Sequence, residues 1–296
     1  MLQQAARQIP RLWTSSVSLL QAQQGLGQPL GAALCQQIRE SSSGLSSDQV
    51  KGLLKEFSAP PHSLQCERPS AIPSDMEKST WGKLALKLLM FNDKYNQLII
   101  GGQELYEAIK DQVDDKAMHK AFGMDPKVFY STYTLLAVHV WLIVHRLGHL
   151  NTKEPKFFKQ RFYNSFVADV ERRIYDQGVQ VGVGKWMRKL ESVFYSSGLS
   201  FDKVLRGESE ETMEGVVLRE FFGNDASKRP QSQLLAAYLR HQLSCLQVTD
   251  DAAIMKGQVQ FSRKPFDPFR TFAAPQGQGS GSGSVGEGAD APGVPR

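Results

Sequence analysis

Between Leu135 and Val144 the chain is apolar all the way round a helix, broken only by His139. A helix with no polar face cannot lie on a surface, so it must be wrapped by other helices or by lipid. A bilayer core asks for about 20 consecutive apolar residues. This run is interrupted by His139 and closed by His145, Arg146 and His149, so wrapping by protein is expected. The chain is therefore read as helices packed around one central helix that ends near Gly148.

The surrounding sequence supplies the wrapping. Trp81, Leu84, Leu88 and Phe91 follow one helical face, with Ser79 or Thr80 as the cap. After Gly101-Gly102 a helix is expected from about Gln103 to Gln112, and a short one between Asp114 and Phe122. Asp125-Pro126 reads as the start of the central helix. Thr152 and Pro155 open a further helix with Phe158, Phe162, Phe166, Val170 and Ile174 every four residues, stopped by Gly178. Trp186, Leu190, Val193 and Phe194 mark another from about Gly184 to Ser197, and helices near Glu210–Phe222 and Pro230–Leu246 follow. Only Val259-Gln260-Phe261 alternates like a strand or extended arm. Hairpin-bounded β-branched runs are otherwise missing, so the fold class is all-α.

Both ends have different compositions. Residues 1–39 hold no Asp or Glu, while arginines and serines lie among apolar residues, the pattern of a mitochondrial transit peptide over residues 1–45. Residues 46–75 read as a short amphipathic helix, with Val50, Leu53, Leu54 and Phe57, followed by a Pro-rich linker. The helical domain is assigned to residues 76–262. Residues 263–296, rich in Gly, Ser and Pro, read as a disordered tail in which Phe266, Phe269 and Phe272 could dock on a partner or a membrane.

Candidates for chemistry are few. His145 and His149 are i, i+4, like two ligands of a zincin helix, but Arg146 occupies the place of the catalytic glutamate. A metal-dependent hydrolase using this pair is the enzymatic alternative. Gly178, Gly182 and Gly184-Lys185 fail as a phosphate loop: Val179 stands where the first glycine belongs and Trp186 where Ser or Thr belongs. Cys35, Cys66 and Cys245 form no Cys-x-x-Cys pair, so neither a disulfide framework nor a cysteine zinc site is indicated. Asp169 is explained by surface ion pairs with Arg172 and Arg173. No catalytic residue and no cofactor is expected.

Charge is the more informative polar feature. The formal net charge is +5, and between Arg146 and Lys189 ten Lys or Arg oppose four Asp or Glu. A cationic rim of Lys159, Arg161, Arg172, Arg173, Lys185 and Arg188 is expected to meet an anionic surface, RNA or phospholipid. A general RNA-binding factor is a further alternative.

The segment LLAVHVWLIVHRL, the following helix with Asp169 and Arg172-Arg173, the glycine-bearing junction from Gly178 to Gly184 and the later VVLREFFGN together resemble the ubiquinol-cytochrome c chaperone family, over about Lys83 to Gln247. His139-Val140-Trp141 inside the apolar helix carries the resemblance most specifically. It implies a non-enzymatic assembly factor for complex III in the mitochondrial matrix, peripheral to the inner membrane. Such a factor binds newly made cytochrome b near the exit of the mitochondrial ribosome, with a small partner protein, until haem is acquired.

Overall fold

The computed structural model describes residues 47–67, 79–81 and 93–269. The transit-peptide reading, most of the expected helix after Trp81 and the Gly/Ser-rich end with Phe272 lie outside those residues. Among the described residues the chain is all-α, without a strand; an isolated antiparallel bridge joins Gln65 to Val259. In chain order the helices are α1 (Ser47–Phe57), α2 (Lys94–Val113), α3 (Lys116–Ala121), α4 (Phe129–Arg146), α5 (Lys153–Asp176), α6 (Val183–Leu205), α7 (Met213–Phe222), α8 (Arg229–Gln247) and α9 (Asp251–Met255). A 3-10 turn precedes α8, and another, Lys264–Phe269, ends the described chain.

The apolar helix α4 is the hub. It packs against α2, α5, α6, α7 and α8, and Leu135, Leu136, Val140, Leu142 and Ile143 are wholly buried. None of the described helices is long and apolar enough to cross a membrane. Asp125 makes a turn before α4, its carboxylate accepting from the Lys127 amide, so the helix starts three residues later than Asp125-Pro126 suggests. On α5 the whole stripe of Phe158, Phe162, Phe166, Val170 and Ile174 is buried, as its four-residue spacing requires. At about 1.5–3 kcal/mol per side chain removed from water, these five residues outweigh anything the exposed face of α5 contributes. Gly178 closes the helix in a left-handed conformation, φ 82°, with its N–H on the Tyr175 carbonyl.

Gly101-Gly102 behaves differently from expectation. Both lie inside α2, which runs from its Asp93 cap to Val113. A side chain at Gly101 would overlap the Met255 carbonyl, and one at Gly102 would press on the backbone of Phe162 at 3.2 Å. These glycines do not interrupt a helix. They let α9 and α5 approach it, and the approach compensates for their low helix propensity.

The two flanking segments join the same core. Leu53 and Phe57 of α1 and Leu64 beyond it are buried, and α1 lies along α8. Phe266 and Phe269 are also buried: Phe266 meets Phe122 and Tyr238 at ring-centroid distances of 5.6 and 5.8 Å. Phe266, read from sequence as available to a partner or a membrane, thus packs on this chain's own Phe122, at the end of α3, and Tyr238 of α8, and Phe269 is buried in the same core.

Candidate functional site

Polar side chains on α4 have to be satisfied inside an apolar environment, and each finds a distinct partner. His139 is wholly buried, with Nδ1 2.7 Å from the Leu135 carbonyl and Nε2 2.7 Å from the Tyr238 hydroxyl. A carbonyl only accepts, so Nδ1 carries the proton and Nε2 accepts from Tyr238. Burial pushes the imidazole down to about 4, so it is neutral at physiological pH. Two residues on, Trp141 Nε1 donates to Asp202 Oδ1 at 3.1 Å, and the same oxygen lies 2.8 Å from His145 Nδ1. Arg146 reaches the end of α8, donating to the carbonyls of Leu246 at 2.7 Å and Thr249 at 3.2 Å and pairing with Asp251.

This arrangement separates His145 from His149. His145 is engaged by Asp202 of α6, while His149 faces the Arg146 carbonyl at 2.9 Å and lies 3.9 Å from Asp251 of α9. The two imidazoles serve different elements and do not converge on a shared carboxylate. A metal-capable convergence among the described residues lies elsewhere, at His62, His241 and Cys245.

The expected cationic rim divides into two kinds of residue. Arg173 is mostly buried: its Nε donates to Asp169 at 2.6 Å while its two terminal nitrogens form a fork on Asp114 at 3.0 and 2.8 Å. Arg172 donates to the other Asp169 oxygen, Oδ1, at 2.6 Å, and the Tyr106 hydroxyl donates to Oδ2, the oxygen shared with Arg173, at 2.7 Å. Burial pushes the Asp169 carboxyl up, but the hydrogen bonds from Arg172, Arg173 and Tyr106 outweigh it and hold the group below the usual carboxylate range. Asp169 therefore stitches α5 to α2 and is not a surface ion-pair partner. Lys159 is half-buried with Nζ on the Leu147 carbonyl at 3.0 Å, where burial lowers its proton affinity.

The remaining cations face water. Arg161 is exposed and lies over the Phe157 ring at 4.9 Å. Lys185, Arg188 and Lys189, all exposed on the first turns of α6, have no ion-pair partner among the described residues. The glycine-rich junction that leads to them is a helix-to-helix turn: Gly178 ends α5, and Gly182, φ 77°, begins α6. Farther along α6, the helices α4, α6 and α7 line an apolar cleft at Ala137, Trp141, Val193 and Phe221, with a cavity of about 20 Å³, room for one water and not for a cofactor.

Residues 120–261, from the last turn of α3 to the extended arm at Phe261, match the ubiquinol-cytochrome C chaperone family. The match covers just under half of the chain. The matched segment contains α4 to α9 complete, and α1 and α2, which lie outside it, pack on its helices. A solved structure, the Cbp3 homologue from Brucella abortus, shares the fold over 60% of this chain and 96% of its own, with a TM-score of 0.51 and 22% sequence identity. No curated protein matches the chain.

Sequence reasoning missed Asp202, Tyr238 and the His62, His241, Cys245 group. Asp202 and Tyr238 each stand on a helix apart from the α4 residues they satisfy, so no local spacing marks them.

Proposed function

We propose that this protein is a non-enzymatic assembly chaperone for ubiquinol-cytochrome c reductase, respiratory complex III. The observation that carries the reading is the family match across residues 120–261, which covers α4 and four of the five helices packed against it, α5 to α8. The client in this reading is newly synthesised cytochrome b, taken up near the mitochondrial ribosome on the matrix side of the inner membrane, together with a small partner protein. Residues 1–45 serve as the mitochondrial address.

The division among the cations supports a specific docking face. Arg173 and Lys159 are committed to the fold, whereas Arg161, Lys185 and Arg188 keep their charge available for RNA phosphates or lipid headgroups. Arg172, exposed though paired with Asp169, stands between the two sets.

The test is recovery of a tagged full-length chain from mitochondria under mild detergent, with the associated proteins identified. Cytochrome b in the eluate, and a loss of assembled complex III when the gene is silenced, are the expected results. Complex III at normal levels in silenced cells overturns the reading.

A further inference from the structure

The chain carries a second constellation that the chaperone reading leaves unused. His241 and Cys245 are i, i+4 on α8, so both point the same way from that helix. His62 comes from the strap that follows α1 and meets them from 179 positions away in sequence. Cys245 Sγ lies 3.5 Å from His241 Nε2 and 3.8 Å from His62 Nδ1, and the three donor atoms all fall within 4.8 Å of one another.

Those separations have a direct chemical meaning. With Zn–S near 2.3 Å and Zn–N near 2.0–2.1 Å, a tetrahedral zinc site requires sulfur-to-nitrogen edges of about 3.6 Å. The two observed edges bracket that value. A single S–H donates to only one of the two imidazoles, whereas one thiolate with two imidazoles is a donor set suited to a borderline-soft d10 ion.

We propose that His62 Nδ1, His241 Nε2 and Cys245 Sγ bind one Zn2+ ion, which clasps the strap after α1 onto α8. On binding, the Cys245 S–H bond breaks, its proton leaves to solvent, and the sulfur lone pair forms the Zn–S bond; each imidazole contributes a nitrogen lone pair. Three protein ligands leave a fourth tetrahedral position for water. The clasp reinforces an apolar seam already present there, in which Phe57 meets Tyr238 edge-on at 5.4 Å. Cys245 is wholly buried and His62 exposed, so the ion would lie at the rim of the core, reachable from solvent on the His62 side. The inference is independent of the chaperone reading, because it concerns how the N-terminal strap is held.

The test uses the purified full-length chain, stripped with chelator under reducing conditions, reloaded with zinc chloride and dialysed. Metal analysis should find one zinc per chain, and cobalt chloride should produce a thiolate-to-cobalt charge-transfer band. Both should be lost in Cys245→Ser and in His62→Ala; the second removes an exposed side chain and leaves the core intact. Both should persist in Cys66→Ser and in the double variant His145→Ala, His149→Ala. Zinc should also raise the melting temperature of the parent chain and leave that of His62→Ala unmoved. Absence of stoichiometric zinc in the parent chain, or its retention in His62→Ala, overturns the proposal.

Discussion

His139 on α4 accepts a hydrogen bond from the Tyr238 hydroxyl of α8 at 2.7 Å, and neither side chain has measurable contact with water. Within the triplet His139-Val140-Trp141 the histidine is therefore a structural joint. Its imidazole locks the central helix to a tyrosine that also packs against Phe57, Phe122 and Phe266.

Acid sensitivity follows from that joint. The imidazole is held down to about 4 in the folded protein, against about 6.5 in the unfolded chain, so the unfolded state binds more protons between those values. Stability is then complete above about pH 6.5 and declines as the pH falls towards 4, by on the order of 3 kcal/mol from this residue alone. His119, also lowered by burial, adds in the same direction. Urea titrations from pH 7 to 4.5 should show the decline, and His139→Gln should remove much of its slope while lowering stability at pH 7. An unchanged slope in that variant would show that His139 is reachable by protons in the folded state.

The glycine pair of α2 offers a test of close approach. Gly101→Ala places a methyl group on the Met255 carbonyl, which is backbone and cannot swing away, so a loss of about 2–3 kcal/mol in urea unfolding is expected. Gly52→Ala, in α1 with open space around it, should gain about 0.5–1 kcal/mol. Equal effects at the two positions would mean that α9 does not lie against α2.

These cases show what was legible in the residue string. The α5 stripe and the wrapped α4 could be read because a period of four and an unbroken apolar run each admit one packing solution. Gly101-Gly102 could not, because glycine permits both a break and a contact, and only the position of Met255 and Phe162 decides. Asp169 was recognised as the partner of Arg172 and Arg173 from its spacing, yet its burial depends on Tyr106, 63 positions earlier. The His62, His241, Cys245 group was hidden for the same reason: a search for paired cysteines finds local motifs, and this one is assembled by the docking of α1.

Asp169 should be costly to remove. Asp169→Ala removes one of two carboxylates from the mostly buried Arg173 and leaves the Tyr106 hydroxyl without its acceptor, and a loss of about 2–4 kcal/mol is expected, towards the lower end because Asp114 still pairs with the arginine. Tyr106→Phe, which removes one hydrogen bond and keeps the ring against Phe162 and Phe166, should cost about 1–2 kcal/mol. Because the folded carboxyl is held low, its contribution is present above the ordinary carboxylate pKa and is lost only as the pH falls through the lowered value. That window lies below the one set by His139, so the two can be separated in a single pH series. Coincident windows would sink the assignment.

Charge reversal distinguishes the cations that hold the fold from those available to a partner. Lys185→Glu with Arg188→Glu alters two exposed side chains without ion-pair partners among the described residues, so folding stability should move by less than about 0.5 kcal/mol. Association with mitochondrial ribosomes or with anionic vesicles should fall, and what remains should depend less steeply on salt than in the parent chain, since each lost cation removes one electrostatic contact. Arg173→Glu should do the reverse. It places a carboxylate beside Asp169 and Asp114 and should destabilise the chain by several kcal/mol, with any binding defect explained by unfolding. Sedimentation with ribosomes and vesicle flotation, each beside a melting curve of the same variant, separate the two outcomes. Full binding by the stable Lys185, Arg188 double variant would move the docking face away from the start of α6.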